Sequence, residues 1–299
     1  MDCTPYNSAM RSTAIIAATA SLVLVLAPPT PAHADGTALP GTRPLGTGGA
    51  MRAAATGDAG PMLNPSGISL LRAYSAESFY RYGTRDSTQD AHVSVVDSTS
   101  GINLGGALYY TYHHASPDAG TETGHLAGVS LSFPLADVLL LGATAKYMHF
   151  SSATDPKNGF TFDAGTTIRA GQFLSLAVVG YNLTNPKTSF APLAIGGGAS
   201  VSPVPGLLLL IDGVIERVSA DPNRDNAYSL MGGGEYMASS LSIRLGGGHD
   251  GLNRNGYLSG GLSAVSTVGA LDASVRRDIS GDRKGTFVGV SARLFVPNN

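Results

Sequence analysis

The chain has 299 residues, of which only 13% are Asp, Glu, Lys or Arg, against roughly 25% in an ordinary soluble domain. Its 39 glycines exceed the usual share, the hydrophobic fraction is 43% and the net charge is −2. This balance excludes a helical membrane bundle, a charged coiled coil and a disordered chain, and it leaves no electrostatic footprint for nucleic acid.

In chain order, the first element is a targeting segment. Arg11, the apolar run 14–27 and Ala32-His33-Ala34 predict a signal peptide over 1–34, cleaved before Asp35. Met10 offers a second possible start. Pro28, Pro29 and Pro31 follow the run too closely for a spanning helix. Cys3 falls in the removed part, so an exported chain would carry no disulfide and a large hydrogen-bonded sheet would have to stabilise it. Later apolar runs are no longer than strands, so any passage through a membrane requires a barrel.

Residues 35–74 read as a separate N-terminal segment. Within it, 46–71 is built of small residues, with an Ala-rich stretch (Ala50 to Ala55) suited to a helical turn or two. Asn64-Pro65-Ser66-Gly67 then turns the chain into the apolar Ile68 to Leu71.

From 75 to 299 the pattern is strand and turn. Leu271, Ala273 and Val275 alternate with Asp272, Ser274 and Arg276; Leu241, Ile243 and Leu245 alternate with Ser242, Arg244 and Gly246. Such alternation marks strands with one apolar and one polar face. The pattern predicts fourteen strands, the first at 75–82 and the last at 286–295. Long links rich in Asp, Asn, Pro and Gly are expected at 83–90, 113–124, 151–159, 182–192, 219–226, 248–255 and 277–285. Short ones are expected at 98–101, 133–137, 169–173, 202–206, 237–240 and 266–268. Long loops at one end and tight turns at the other suit an all-β, antiparallel transmembrane barrel.

In such a barrel the apolar face meets lipid. Leu139, Leu141, Phe160, Phe162, Leu209, Ile211, Ile215 and Leu271 then point outward, with Tyr110, Tyr112, Tyr147, Tyr228 and Tyr236 as an aromatic girdle. Lys146, Asp163, Asp212, Glu216, Glu235, Arg244, Asp272, Arg276 and Arg293 point inward. Two readings of these charges stay open: mutual pairing that fixes register, or a polar ligand path in which Arg244 or Arg276 holds a carboxylate. Phe295 falls in the inward phase, although barrels of this kind usually end on an outward aromatic residue.

The segment GTGGAMRAAATGDAGPMLNPSGISLL at 46–71, with LGGGHD at 245–250, YLSGGLS at 257–263 and LDASVRRD at 271–278, resembles the FadL and PorV group of outer-membrane barrels. Gly49, Asp58, Asn64, Pro65 and Gly67 match that group's plug motif, while Ser66 stands where alanine is usual. The resemblance implies a plug inside a fourteen-stranded barrel and passive uptake of small hydrophobic, fatty-acid-like molecules. The alternative it implies is a non-transporting, PorV-like barrel that scaffolds protein secretion or surface attachment. The long helical outer loops of the fatty-acid transporters are missing, and the longest expected loop is 113–124.

The remaining signals are weak. Glycine triplets at 196–198, 232–234 and 246–248 lack the strand–loop–helix context of a phosphate loop and suit bends or close approach of a plug. His113-His114, with Asp118, Glu122 and His125, suit a solvated outer loop better than a metal site. There is no catalytic constellation, so no enzyme activity, metal or cofactor is expected. The expected partners are outer-membrane lipid, a hydrophobic small molecule and the barrel-insertion machinery, with no nucleic acid.

Overall fold

The structure, a computed structural model, describes residues 41–99, 104–117, 120–136, 138–152, 156–188, 190–217, 226–282 and 284–296. The expected signal peptide lies outside the described residues. The first seven strands are β1 (Tyr74–Gly83), β2 (Thr88–Asp97), β3 (Gly105–Ala115), β4 (Glu122–Ala136), β5 (Leu139–Ser151), β6 (Lys157–Ala170) and β7 (Leu174–Tyr181). The second seven are β8 (Ala194–Val204), β9 (Leu207–Arg217), β10 (Asn226–Ala238), β11 (Leu241–Asp250), β12 (Asn255–Val265), β13 (Gly269–Asp278) and β14 (Thr286–Val296). Each strand pairs antiparallel with its chain neighbours, and β1 pairs with β14 from Tyr74↔Val296 to Gly83↔Phe287. The sheet is a closed, fourteen-stranded barrel.

Closure follows from what the alternating sequence presents outside. Val129, Leu131 and Phe133 of β4, Phe160 and Phe162 of β6, Leu209, Ile211 and Ile215 of β9 and Leu271 of β13 are all exposed on the outer surface. Tyr110, Tyr147, Tyr228 and Tyr236 share that face. The intervening polar residues, among them Lys146, Asp163, Asp212, Glu216, Glu235, Arg244 and Asp272, are buried. Apolar side chains outside and charges inside invert a soluble protein and match a lipid-facing wall. Among the described residues the register slips only at Pro134/Ala136 between β4 and β5 and at Val201/Val204 between β8 and β9. No slip touches β14, so Phe295 stays in the inward phase, under the Arg293 guanidinium at 5.8 Å.

The link rhythm holds with corrections. The links between β4 and β5, β8 and β9, and β10 and β11 are two residues long, whereas that between β7 and β8 spans 182–193. This last link, not 113–124, is the longest. His113 and His114 are strand residues, paired with Asp90 and Gln89 of β2 and with Gly124 and Thr123 of β4. The first link shrinks from 83–90 to 84–87, and 98–104 outgrows it. Polar strand ends beyond the membrane keep their ladder hydrogen bonds but lose apolar alternation, so composition alone shortens them.

Residues 41–71 form short helical turns at Thr42–Gly46, Arg52–Ala54, Gly57–Ala59, Gly60–Leu63 and Pro65–Leu70. Their partners are inward side chains around the ring: Ser132 of β4, Thr167 of β6, Ser200 of β8, Asp212 of β9 and Ser259 of β12. The segment therefore lies within the barrel.

Ile211, at the middle of β9 and on the outer face, tests the polarity of the wall. Ile211→Arg is expected to lower stability by about 2–4 kcal/mol, read from denaturant unfolding in phospholipid vesicles. An unchanged midpoint would mean that this face does not meet lipid.

Candidate functional site

Among the described residues, charge gathers in the lumen. Arg43 donates from Nε and Nη2 to both oxygens of Glu235, at 2.8 and 2.9 Å. Arg244 donates to Glu235 at 2.5 Å and to Asp272 at 2.7 Å. Arg293 continues the chain to Asp272 at 3.1 Å, with Asp58 and Glu77 at 3.9 and 4.0 Å from its Nε. Three guanidiniums and four carboxylates thus run without a break from the inner segment across β10, β11, β13, β14 and β1. Burial pushes the Asp58 carboxyl above the usual range, and the charge of Arg293 opposes that rise. Ser75 and Ser94 donate to its two oxygens at 3.2 and 3.1 Å.

A second anchor lies on the neighbouring strand, β9. Asp212 accepts the backbone N–H groups of Met51 and Arg52, both at 2.8 Å, and Arg52 Nη1 at 3.1 Å. Arg52 Nε donates to the Tyr181 hydroxyl, which donates in turn to the Leu63 carbonyl. Asn64 caps the turn that follows it. Its Oδ1 accepts from Ser66 N and Oγ, and its Nδ2 donates to the Arg52 carbonyl and to Thr167.

Glycines in the wall make room for this segment. A Cβ on Gly233 or Gly246 would collide with the Thr47 backbone, and one on Gly142 with Pro65. On the segment itself, a Cβ on Gly67 would strike the Ala55 carbonyl, and Gly49 turns the chain at φ +83°, a conformation natural to glycine.

Of the residues singled out in the sequence, Glu235, Arg244, Asp272, Arg293 and Asp58 come together in one network. Asp212 is separate, with Arg52. Arg276 is separate again, bonded to Asp250 at 3.0 Å and Asp278 at 3.3 Å and stacked on Tyr257 at 3.8 Å. Arg244 and Arg276, weighed as cations for a ligand carboxylate, each already hold two carboxylates. Sequence reasoning missed Arg43 and Arg52; their signal was a basic residue in a segment of small residues facing an acidic wall.

Above the inner segment, at the end of the long link 182–193, a cavity of about 120 Å³ opens. Its apolar walls are Met62, Leu63, Leu126, Phe150, Phe190 and Val214, and its polar ones include His113, Lys146 and Glu216. A second cavity of about 100 Å³, beside Met231 and Tyr257, shares Arg52, Leu63, Val214 and Glu216 with the first. Outside the wall a groove of about 500 Å³ runs over Val93, Leu108, Tyr110, Val129, Tyr147 and Phe160. Lys146 borders both this groove and the inner cavity. Among the described residues no group of His, Cys, Asp and Glu is placed to hold a metal ion.

No family model matches the sequence, and no curated protein matches it. Solved structures do. The chain is similar to the Ralstonia pickettii toluene transporter TbuX, with a TM-score of 0.66 and 11% identity over 88% of this chain and 100% of that one. It is similar to a Pseudomonas aeruginosa FadL homologue, with a TM-score of 0.65 and 12% identity over 87% and 99%. It is also similar to the CymD monoaromatic hydrocarbon channel, with a TM-score of 0.64 and 11% identity over 88% and 98%. The fold is that of a FadL-like transmembrane barrel.

Removing one anchor tests the segment's attachment. Asp212→Ala leaves the Arg52 guanidinium and two backbone N–H groups without their acceptor, and should cost about 3–5 kcal/mol in denaturant unfolding. A loss under about 1 kcal/mol, the range of an exposed pair, would show that the anchor is wet.

Proposed function

We propose that the protein is an outer-membrane channel for passive uptake of small hydrophobic molecules, with the segment 41–71 as its plug and gate. The observation that carries this reading is the largely apolar cavity between Phe150, Phe190, Leu126 and Met62, in a lumen whose buried charges are held in ion pairs. A transported apolar compound needs a dry resting place, and the charges alone would offer none. Similarity to a toluene transporter and a monoaromatic hydrocarbon channel supports the same class.

Cavity size narrows the substrate. About 120 Å³ is close to the roughly 150 Å³ of an engineered apolar cavity that holds benzene, which suits one-ring compounds and not long-chain acids. A scaffold for protein secretion gains no support from the solved structures or from the lumen. The ion-pair chain fixes the plug during rest, and passage requires a local rearrangement of 41–71, not its ejection. Lys146 marks where the inner cavity comes near the outer groove, and this is the region through which a compound could leave sideways, as the FadL resemblance implies.

Two measurements decide the reading. Cells that make the protein should take up radiolabelled toluene faster than cells lacking the gene; equal rates across several one-ring hydrocarbons would overturn uptake. In planar bilayers, deletion of 46–71 should raise conductance strongly, and Gly246→Val, which pushes Thr47 off the wall, should raise it less. Conductance unaffected by the deletion would mean that the segment closes nothing.

A further inference from the structure

Among the polar atoms that border the cavity beside Phe150 is His113 Nε2, which the fold leaves unanswered. His113, from the end of β3, has its Nδ1 2.6 Å from Asp90 Oδ1. The other oxygen of Asp90 accepts from Arg81 Nε at 3.1 Å, and Asp90 is fully buried. A carboxylate held by an arginine accepts only, so Nδ1 carries the proton of that bond, and in the neutral tautomer so fixed Nε2 is the acceptor. Nε2 is buried and has no hydrogen-bond partner among the described residues. A buried acceptor without a donor is costly, and in a native fold it asks for an occupant.

Phe190 shows where that occupant belongs. Its ring lies face to face with Phe150, centroids 4.4 Å apart and planes 8° apart, and meets His113 nearly edge-on at 6.4 Å. The long link thus places a flat aromatic slab against Phe150 and edge-on to the His113 ring. The cations and the hydroxyl of the cavity are committed. Lys146 holds Asp163 at 2.6 Å and Asn182 at 2.7 Å, and Arg52 holds Asp212. Thr111 Oγ1 is 2.8 Å from His92 Nδ1. A carboxylate ligand would have to break one of these buried ion pairs, whereas a hydroxyl meets a ready acceptor.

We propose that the cavity is a subsite for a neutral aromatic ring bearing a hydroxyl group. The ring replaces Phe190 against Phe150, and the ligand O–H donates to His113 Nε2. The inference rests on reading the barrel as a channel for small hydrophobic compounds and adds the chemical class that the cavity selects. His113 is then a specificity-determining residue, and Phe190 keeps the site filled when no ligand is present.

The test titrates the full-length mature chain, folded in detergent, with toluene, para-cresol and para-methylanisole by calorimetry. The anisole keeps the ring and the oxygen but cannot donate, so cresol is expected to bind about fivefold more tightly. His113→Leu should bring cresol down to the anisole's affinity and leave that for toluene unchanged. His113→Gln keeps an acceptor and should retain part of the preference, which covers the case in which the leucine variant does not fold. Phe190→Ala should tighten all three ligands, because no side chain competes for the slot. Equal binding of cresol and anisole to the wild type, or a preference that survives His113→Leu, would overturn the hydroxyl site. Weaker binding of all three to Phe190→Ala would overturn the place-holding role. Binding of toluene without a cresol preference defeats this inference alone, while binding of none of the three defeats the channel reading with it.

Discussion

Lipid offers backbone N–H and C=O groups nothing to bond, so a sheet inside it must have no edge. Here that condition rests on the ladder between β1 and β14, which joins the first strand to the last over ten residue pairs. Everything else depends on it. Once the ring is closed, the alternation of each strand sorts side chains to two solvents, and the polar set is trapped in an enclosed lumen. Asp212, Glu235, Arg244 and Asp272 are buried charges because the wall has no other side for them.

The lumen meets the resulting desolvation cost by pairing. Removing one partner from a buried ion pair leaves an uncompensated charge, whereas the complete set is near balance. The chain from Arg43 to Asp58 draws its members from the inner segment and from five strands, so it also fixes how the segment sits against the wall. Glycines contribute in a different way. Gly142, Gly233 and Gly246 bring backbone within contact of backbone, which lets the segment pack closely against the wall at Thr47 and Pro65. The apolar cavity at Phe150 is what this filling leaves over.

The wall was legible in the sequence because period-2 alternation is a local property, and residues such as Ile211, Asp212 and Leu271 declare their faces in one short window. The strand ends were less legible: His113 and His114 carry polar side chains on a hydrogen-bonded strand, and composition reads them as loop. The site was least legible of all. Phe150 and Phe190 stack although a strand and a link of different hairpins carry them, and Arg43 finds Glu235 across 192 residues. No periodicity reports such contacts. The motif around Asn64, Pro65 and Gly67 lies in a buried turn that Asn64 caps, with Gly67 under the Ala55 carbonyl, and such a turn is a local requirement. It carried no information about which strands that turn would meet.

The placement of 41–71 has a consequence for the order of assembly. Gly48 accepts from the Tyr257 hydroxyl, and Gly46 from Ser259, across 209 and 213 residues. The segment that leaves the ribosome before any strand therefore gains its final contacts only when the closing strands are in place. Contacts so distant along the chain are slow to form, and until they do the Arg43 and Arg52 side chains have no buried counter-charge. The barrel must accordingly close around its own N-terminal segment, so the last strands act as the template on which the first residues become ordered.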